Sequence, residues 1–250
     1  MKNVLGILGG MGPVASAEFV RTIYSFHHRG PEQDAPIVLL YSDPTFPDRT
    51  NAFLRGSDEL LLRSMSEALT RLCEMGATHL VICCVTSHYL LDRLPAALRD
   101  RIISLPDVIF DTVLRSERKH LLMCTQGTRQ SGLFENHPLW EAARGRVVLP
   151  EPLDQQEIHD LIYRLKKNVE VSELLPLVEA LLAKYEVDSF IVGCTELHLV
   201  ARHLAEAGSG AYMAYGCLDP LTIIAESVVQ KNIHALASSP LTAQHANRRS

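Results

Sequence analysis

Phe190-Ile191-Val192-Gly193-Cys194-Thr195-Glu196-Leu197-His198-Leu199-Val200 runs from a short apolar segment through a glycine to a thiol, and then into an amphipathic segment over 197–204. That order reads as a buried strand passing directly into a helix, with Cys194 at the seam. A helix N-terminus carries unpaired N–H groups and the positive end of the peptide dipole, and both favour a thiolate. A small buried cysteine is also common core filling, so one seam decides little. A second seam decides more. Leu80-Val81-Ile82-Cys83-Cys84-Val85-Thr86-Ser87-His88-Tyr89-Leu90 repeats the arrangement, an apolar run ending in Cys84 with Thr86 and His88 just beyond.

Working outward, residues 4–8 read as a buried strand closed by the turn Gly9-Gly10-Met11-Gly12-Pro13, and Pro13 suits the first position of a helix through Phe19, Ile23 and Phe26. The turn does not fit the GxGxxG spacing of a dinucleotide loop, and its backbone N–H groups are better suited to a carboxylate. Residues 37–41 read as a second buried strand. It leads into a loop stiffened by Pro44 and Pro47, and Arg49 on that loop sits where α/β sheets usually keep their ligands. Ser57 is expected to cap a long helix bearing Leu61, Met65, Leu69 and Leu72, which Gly76 ends. Strands at 79–83 and 101–105 and a helix at 110–117 complete this half.

From residue 121 the pattern restarts. A strand at 121–124 meets the polar loop Thr125-Gln126-Gly127-Thr128-Arg129-Gln130-Ser131-Gly132, where the first half has its glycine turn. Val147 and Val148 mark a short strand. Asp154 with Glu157 resembles a capping box, and Ser172 is expected to cap the next helix, with Pro176 tolerable only in its early part. The strand ending in Cys194 follows, then a short strand at 212–215 and a final helix opened by Asp219-Pro220 and running to about His234.

This alternation predicts an α/β protein of two pseudo-symmetric lobes, each a short parallel sheet flanked by helices, with the active site in the cleft between them. The expected division is 1–116 plus 216–236 for the N-terminal lobe, 117–215 for the C-terminal lobe, and a disordered Ser/Pro/Ala/Asn-rich tail over 237–250. Strand exits facing one cleft would set Cys84 and Cys194 on its opposite walls. With 250 residues, 47% of them hydrophobic, the chain can build one large core or two small ones. A formal charge of -5 offers no basic face to nucleic acid or an anionic membrane, and no apolar run reaches membrane-spanning length. The opening MKNVLGILGGMG reads as a first strand and not as a secretory signal. Six cysteines without CxxC spacing suggest reduced thiols in a cytoplasmic protein, and no compact Cys/His cluster supplies a zinc site.

Two thiols on opposite walls suit one reaction in particular. Inverting an α-carbon means removing a proton from one face and returning one to the other, which a single base does poorly. One thiol must be ionised while the other is protonated, and the roles swap with the handedness of the substrate. Charge developing on the α-carboxylate calls for clustered N–H and hydroxyl donors, which Thr86, Thr195 and the two polar loops can supply. Arg49 can clamp a carboxylate with its forked guanidinium.

Gly9-Gly10-Met11-Gly12-Pro13, Asp48-Arg49-Thr50, the Thr86/His88 segment and Gly193-Cys194-Thr195-Glu196-Leu197 together resemble the aspartate/glutamate racemase superfamily, and within it the PLP-independent aspartate racemase branch. The resemblance spans nearly the whole chain. It implies a two-lobed, often homodimeric enzyme that racemises acidic amino acids, aspartate above all, without cofactor. Cys84 and Cys194 would be the two acid/bases and Arg49 a carboxylate ligand, with Met11, Thr86, Thr128, Thr195 and Glu196 lining the site. A family lysine in the helix before the second cysteine falls at Lys166 or Lys167, with the preference to Lys167. One position departs: the family motif CNTAH reads Cys84-Val85-Thr86-Ser87-His88 here. Valine has no amide to offer a substrate, so the chain is expected to hold polar groups less tightly beside Cys84. The alternatives are a cysteine-dependent isomerase or decarboxylase of the maleate isomerase kind, or an amino-acid-binding homologue weakened by Val85.

Overall fold

The computed structural model describes residues 3–27, 30–206, 216–233 and 236. The first half comprises β1 (Val4–Gly9), α1 (Pro13–Phe26), β2 (Ile37–Ser42), α2 (Arg49–Leu54), α3 (Glu59–Glu74), β3 (His79–Ile82), a 3-10 segment Thr86–Arg93, α4 (Ala96–Arg99) and α5 (Leu105–Arg115). The second comprises β4 (His120–Met123), α6 (Gln126–Gln130), α7 (Trp140–Ala143), β5 (Val147–Val148), α8 (Pro152–Lys166), α9 (Val171–Lys184), β6 (Ser189–Val192) and α10 (Leu197–Glu206), followed by β7 (Gly216–Leu218) and α11 (Pro220–Val229). Two parallel sheets result, ordered β2-β1-β3 and β5-β4-β6-β7. The first strand of each half is central, the second lies at an edge, and the third carries the chain out toward a cysteine.

Alternation along these strands sorts the side chains into three cores. Leu80, Ile82 and Cys84 join the core under α3, whereas Val81, Cys83 and Val85 join the core shared by the two sheets. In the second half Phe190, Val192 and Cys194 face the core under α8 and α9, and Ile191 faces the shared one. The shared core also takes in Phe19 and Ile23 of α1, Phe110 of α5, Phe134, and Leu221 and Ile224 of α11, so one continuous apolar body binds the halves together.

Several elements differ from the sequence expectation, each for a local reason. Residues 101–105 form only a single bridge, Leu80 to Ile102, because Ser104 already caps α5 by accepting from Asp107 N. Strand β2 is an edge strand paired only with β1, so Ile37 and Leu40 are exposed and not buried. Ser57 finishes α2, its N–H donating to Ala52 O, and Asp58 takes the N-cap place of α3. Asp154 caps nothing: α8 begins earlier, at Pro152, and the Asp154 carboxylate binds Lys184 Nζ at 2.7 Å and the Tyr185 hydroxyl. Glu170, not Ser172, stands at the N-cap of α9. Strand β7 pairs with β6, so the chain leaves the second sheet after Leu218 and not before residue 216; α11 then packs on α1 and α5. The helix opened by Asp219-Pro220, expected to run to about His234, ends instead at Val229 with Gln230 at its C-cap and Lys231 at positive φ; the strand expected at 212–215 and the tail over 237–250 lie outside the described residues. Among the described residues no helix is long and apolar enough to cross a membrane, and no group of three or more His, Cys, Asp or Glu is placed to hold a metal ion.

Candidate active site

Cys84 leaves β3 on a turn clamped by histidine. His88 Nδ1 donates to Cys84 O at 2.9 Å, while its Nε2 accepts from Leu105 N at 3.2 Å. Both ring nitrogens are committed with the imidazole neutral, and burial lowers its pKa to about 4. His88 therefore shapes the turn and is no proton carrier. Cys194 leaves β6 in the corresponding place. Gly193 makes that exit tight, since a Cβ there would stand 2.8 Å from both Met123 O and the Cys124 side chain.

The two sulfurs have different company. Arg49, the first residue of α2 and not a loop residue, is buried, and Cys84 is among the nearby groups that favour its charge against the cost of burial. Its Nη1 donates to Pro47 O at 3.1 Å and its Nη2 to Met11 O at 2.8 Å. The glycine turn thus supplies a carbonyl to the arginine, and one of its N–H groups, that of Gly10, is taken by Ser16 Oγ. Arg49 Nε is buried without a partner among the described residues. Cys194 instead donates to Glu196 Oε2 at 2.8 Å. Burial and the Glu196 carboxylate push the Cys194 thiol well up, against the pull of Lys166. The expected lowering by a helix N-terminus does not appear, because α10 begins only at Leu197 and a carboxylate intervenes. The other Glu196 oxygen, Oε1, is also buried without a partner among the described residues.

Hydroxyls close the space between the lobes. Thr86, Thr125 and Thr128 form a ring of hydrogen bonds of 2.8 to 3.1 Å, joining the first half to the second. Thr195 Oγ1 donates to Cys83 O at 3.2 Å, so it ties the two cysteine turns together. At the rim, the Tyr163 hydroxyl of α8 donates to Asp48 Oδ2 at 2.8 Å. Lys166 lies over the Tyr163 ring, 4.4 Å from its centre. Burial works against the charge on Lys166, but Glu196 and Cys194 outweigh it and hold its pKa above the ordinary lysine value. Lys167 is exposed and caps α8. Of the two lysines, it is therefore Lys166 and not the preferred Lys167 that stands near Cys194 and Glu196. Two surface cavities, one beside Tyr41, Asp43 and Arg71 and the other beside His120, Ser189 and Cys217, do not reach the thiols.

The structure thus gathers Cys84, Cys194, Met11, Arg49, Thr86, Thr128, Thr195 and Glu196 around one place and leaves Lys167 out. It adds Lys166, Thr125, Tyr163 and Asp48. A helical reading of α8 could have found Lys166. It is i+4 from Ile162 and borders the buried stripe Ile158, Leu161, Ile162 and Leu165, whereas Lys167 lies about half a turn from that stripe. Val85 is wholly buried in the core between the sheets, on the face opposite Cys84. Its side chain belongs to packing and not to the ring of polar groups.

Known proteins share this fold. The broad specificity amino-acid racemase RacX of Bacillus subtilis (strain 168) is 22% identical over 209 residues, 80% of this chain and 88% of that protein. The aspartate racemase of Picrophilus torridus superposes with a TM-score of 0.74 at 22% identity, over 92% of this chain and 94% of that one. An aspartate racemase homologue from Pyrococcus horikoshii OT3 gives 0.63 at 20% identity, over 93% and 99%. The sequence profile described as Asp/Glu/Hydantoin racemase matches residues 8–228, from the end of β1 into α11, and the chain belongs to that family of racemases.

Proposed function

We propose that this protein is a cofactor-independent racemase of acidic amino acids, aspartate first among them, working through Cys84 and Cys194. The observation that carries the reading is the pair of cations beside the two thiols: Arg49 neighbours Cys84, and Lys166 feels Cys194 and Glu196. A dicarboxylate needs two such partners, one for each carboxylate, and the unpaired Nε of Arg49 gives the guanidinium a donor to spend on one of them. The unpaired Oε1 of Glu196 is a matching acceptor for the substrate ammonium. With the α-carbon held between the sulfurs, a thiolate on one side takes the α-proton and a thiol on the other returns one. The threonine hydroxyls Thr86, Thr128 and Thr195 stand ready, by rotation, for the charge that builds on the carboxylate.

Purified protein incubated with L-aspartate in deuterated water, with no pyridoxal phosphate added, should yield D-aspartate labelled at the α-carbon by chiral chromatography and mass spectrometry. Absence of both inversion and labelling would overturn the reading. The broad specificity named for the Bacillus subtilis relative supports a second reading, in which non-acidic amino acids are also substrates. A panel of the common amino acids in the same assay separates the two, and formation of a decarboxylated product would point to the decarboxylase alternative.

A further inference from the structure

We infer that Glu196 is a further catalytic residue that shares one proton with Cys194, so that the second acid/base is a thiol–carboxylate pair and not a lone thiol. The inference rests on the two-thiol reading above and adds to it a route for the Cys194 proton. Three observations carry it. Cys194 Sγ and Glu196 Oε2 are 2.8 Å apart, hydrogen-bonding distance for a donating thiol. Both side chains are almost completely buried, so the proton has a protein acceptor at hand where water is scarce. The fold makes room for this contact: a Cβ on Gly12 would stand 2.6 Å from Glu196 Oε1, so a glycine there leaves the carboxylate its place. Cys84 has a cation, Arg49, as its neighbour instead.

The protons balance as follows. When Cys194 serves as base, its S–H proton moves to Glu196 Oε2, leaving a thiolate and a carboxylic acid with the same net charge as before. The thiolate lone pair takes the α-hydrogen as a proton, and the C–H electrons remain on the substrate as the carbanion. The Cys84 thiol then protonates the opposite face and becomes thiolate. The negative charge has crossed from the pair to Cys84, and the pair holds two protons. In the reverse direction Cys84 thiolate removes the α-proton, the Cys194 thiol gives its proton to the carbanion, and the Glu196 proton moves to the sulfur. The ionisable groups that act on the Cys194 sulfur are Glu196, Lys166 and, across the cleft, Cys84.

An internal proton transfer has a pH signature that a solvent-ionised thiol lacks. Exchange of the α-hydrogen in deuterated water is measured separately for L- and D-aspartate from pH 6 to 8. Cys194→Ala identifies the enantiomer that Cys194 deprotonates, because only that exchange is lost. In the wild type that exchange should be nearly flat with pH, since thiol–carboxylate and thiolate–acid carry the same charge. In Glu196→Gln it should fall about tenfold for each unit of decreasing pH, because the thiolate then forms only by loss of a proton to solvent. The other enantiomer should be little affected. Gly12→Ala, which crowds the carboxylate while leaving both Cys194 and Glu196 in the sequence, should reproduce the slope. Equal slopes in wild type and both variants would overturn the inference, as would a rise in KM for both enantiomers with no change of slope. An activity-free measurement separates it from the substrate assignment: alkylation of Cys194 by iodoacetamide, followed by peptide mass spectrometry. Removing the carboxylate charge should move the alkylation midpoint to lower pH in Glu196→Gln. An unmoved midpoint sinks the proton-sharing pair even if aspartate is the substrate, whereas a moved midpoint in a protein inert toward aspartate removes only the substrate.

Discussion

The turn after β3 and the turn after β6 occupy equivalent places in two sheets built in the same order, yet their chemistry is not equivalent. Cys84 neighbours a guanidinium that is itself held by the carbonyls of Pro47 and Met11. Cys194 sits against a carboxylate two residues along its own turn, with Lys166 reaching in from α8. The backbone repeats and the charges do not. A racemase must return protons to both faces of one carbon, but its substrate has a different group on each side. Matched topology can set two acid/bases in opposition while unlike neighbours orient a chiral substrate between them. Symmetry therefore belongs to the sheets and asymmetry to the residues that follow them.

The largest effect tests the equivalence itself. Cys84→Ser and Cys194→Ser should each reduce racemisation by on the order of 10²–10⁴-fold, the usual worth of a positioned acid/base. Each should retain α-hydrogen exchange from the enantiomer served by the remaining thiol. Full activity in either variant removes that half of the comparison. The next effect tests the cation on the Cys84 side. Arg49→Lys keeps the charge but cannot hold Pro47 O and Met11 O while presenting a fork to a carboxylate, so kcat/KM should drop by about 10²-fold. Wild-type kinetics for that variant on every substrate turned over would make Arg49 a structural clamp only.

A smaller effect decides the cation on the Cys194 side. Lys166→Met should lower kcat/KM for aspartate by about tenfold or more, because a carboxylate partner is lost from a half-buried place, while Lys167→Met stays near wild type. The reverse order would restore the sequence preference for Lys167 and break the geometric argument from α8.

The two seams were legible in the sequence because each compresses into a few neighbouring residues: an apolar run, a cysteine, a threonine. The central strands and the restart at residue 121 were legible for the same reason. Arg49 was found from its place after a strand, although the short helix that begins with it was not. What escaped depends on contacts between distant parts of the chain. Thr125 matters because Thr86 lies 39 positions earlier, and Asp48 because Tyr163 lies 115 positions later. Residues 101–105 look like a strand, but whether they pair along their length depends on where α5 begins. The thiol of Cys194 was read as activated by a helix end, because a sequence does not show that Glu196 folds back onto the sulfur.

Val85 is the finest test, since it asks whether the face opposite the Cys84 thiol belongs to the proposed site at all. On motif grounds an asparagine should replace it with gain, because the family uses an amide there. The packing of the turn after β3 argues otherwise. Cys84 joins the core under α3, whereas Val85, in αR conformation at the start of the 3-10 segment, joins Cys83, Cys124 and Phe134 in the core shared by the sheets. Val85 has no exposed surface, and its branched side chain fills space in that cluster. An amide placed there leaves water for apolar surroundings, and without a hydrogen-bond partner this costs about 1–3 kcal/mol. Val85→Asn should therefore lower the denaturation midpoint and leave aspartate turnover within about twofold, an effect smaller than the ~1.4 kcal/mol that a tenfold rate change represents. Urea unfolding and racemisation measured on the same preparation check both halves of the expectation. A variant that is as stable as wild type and faster on aspartate would show that residue 85 turns toward the substrate, and the placement of Val85 in the core shared by the sheets would fail.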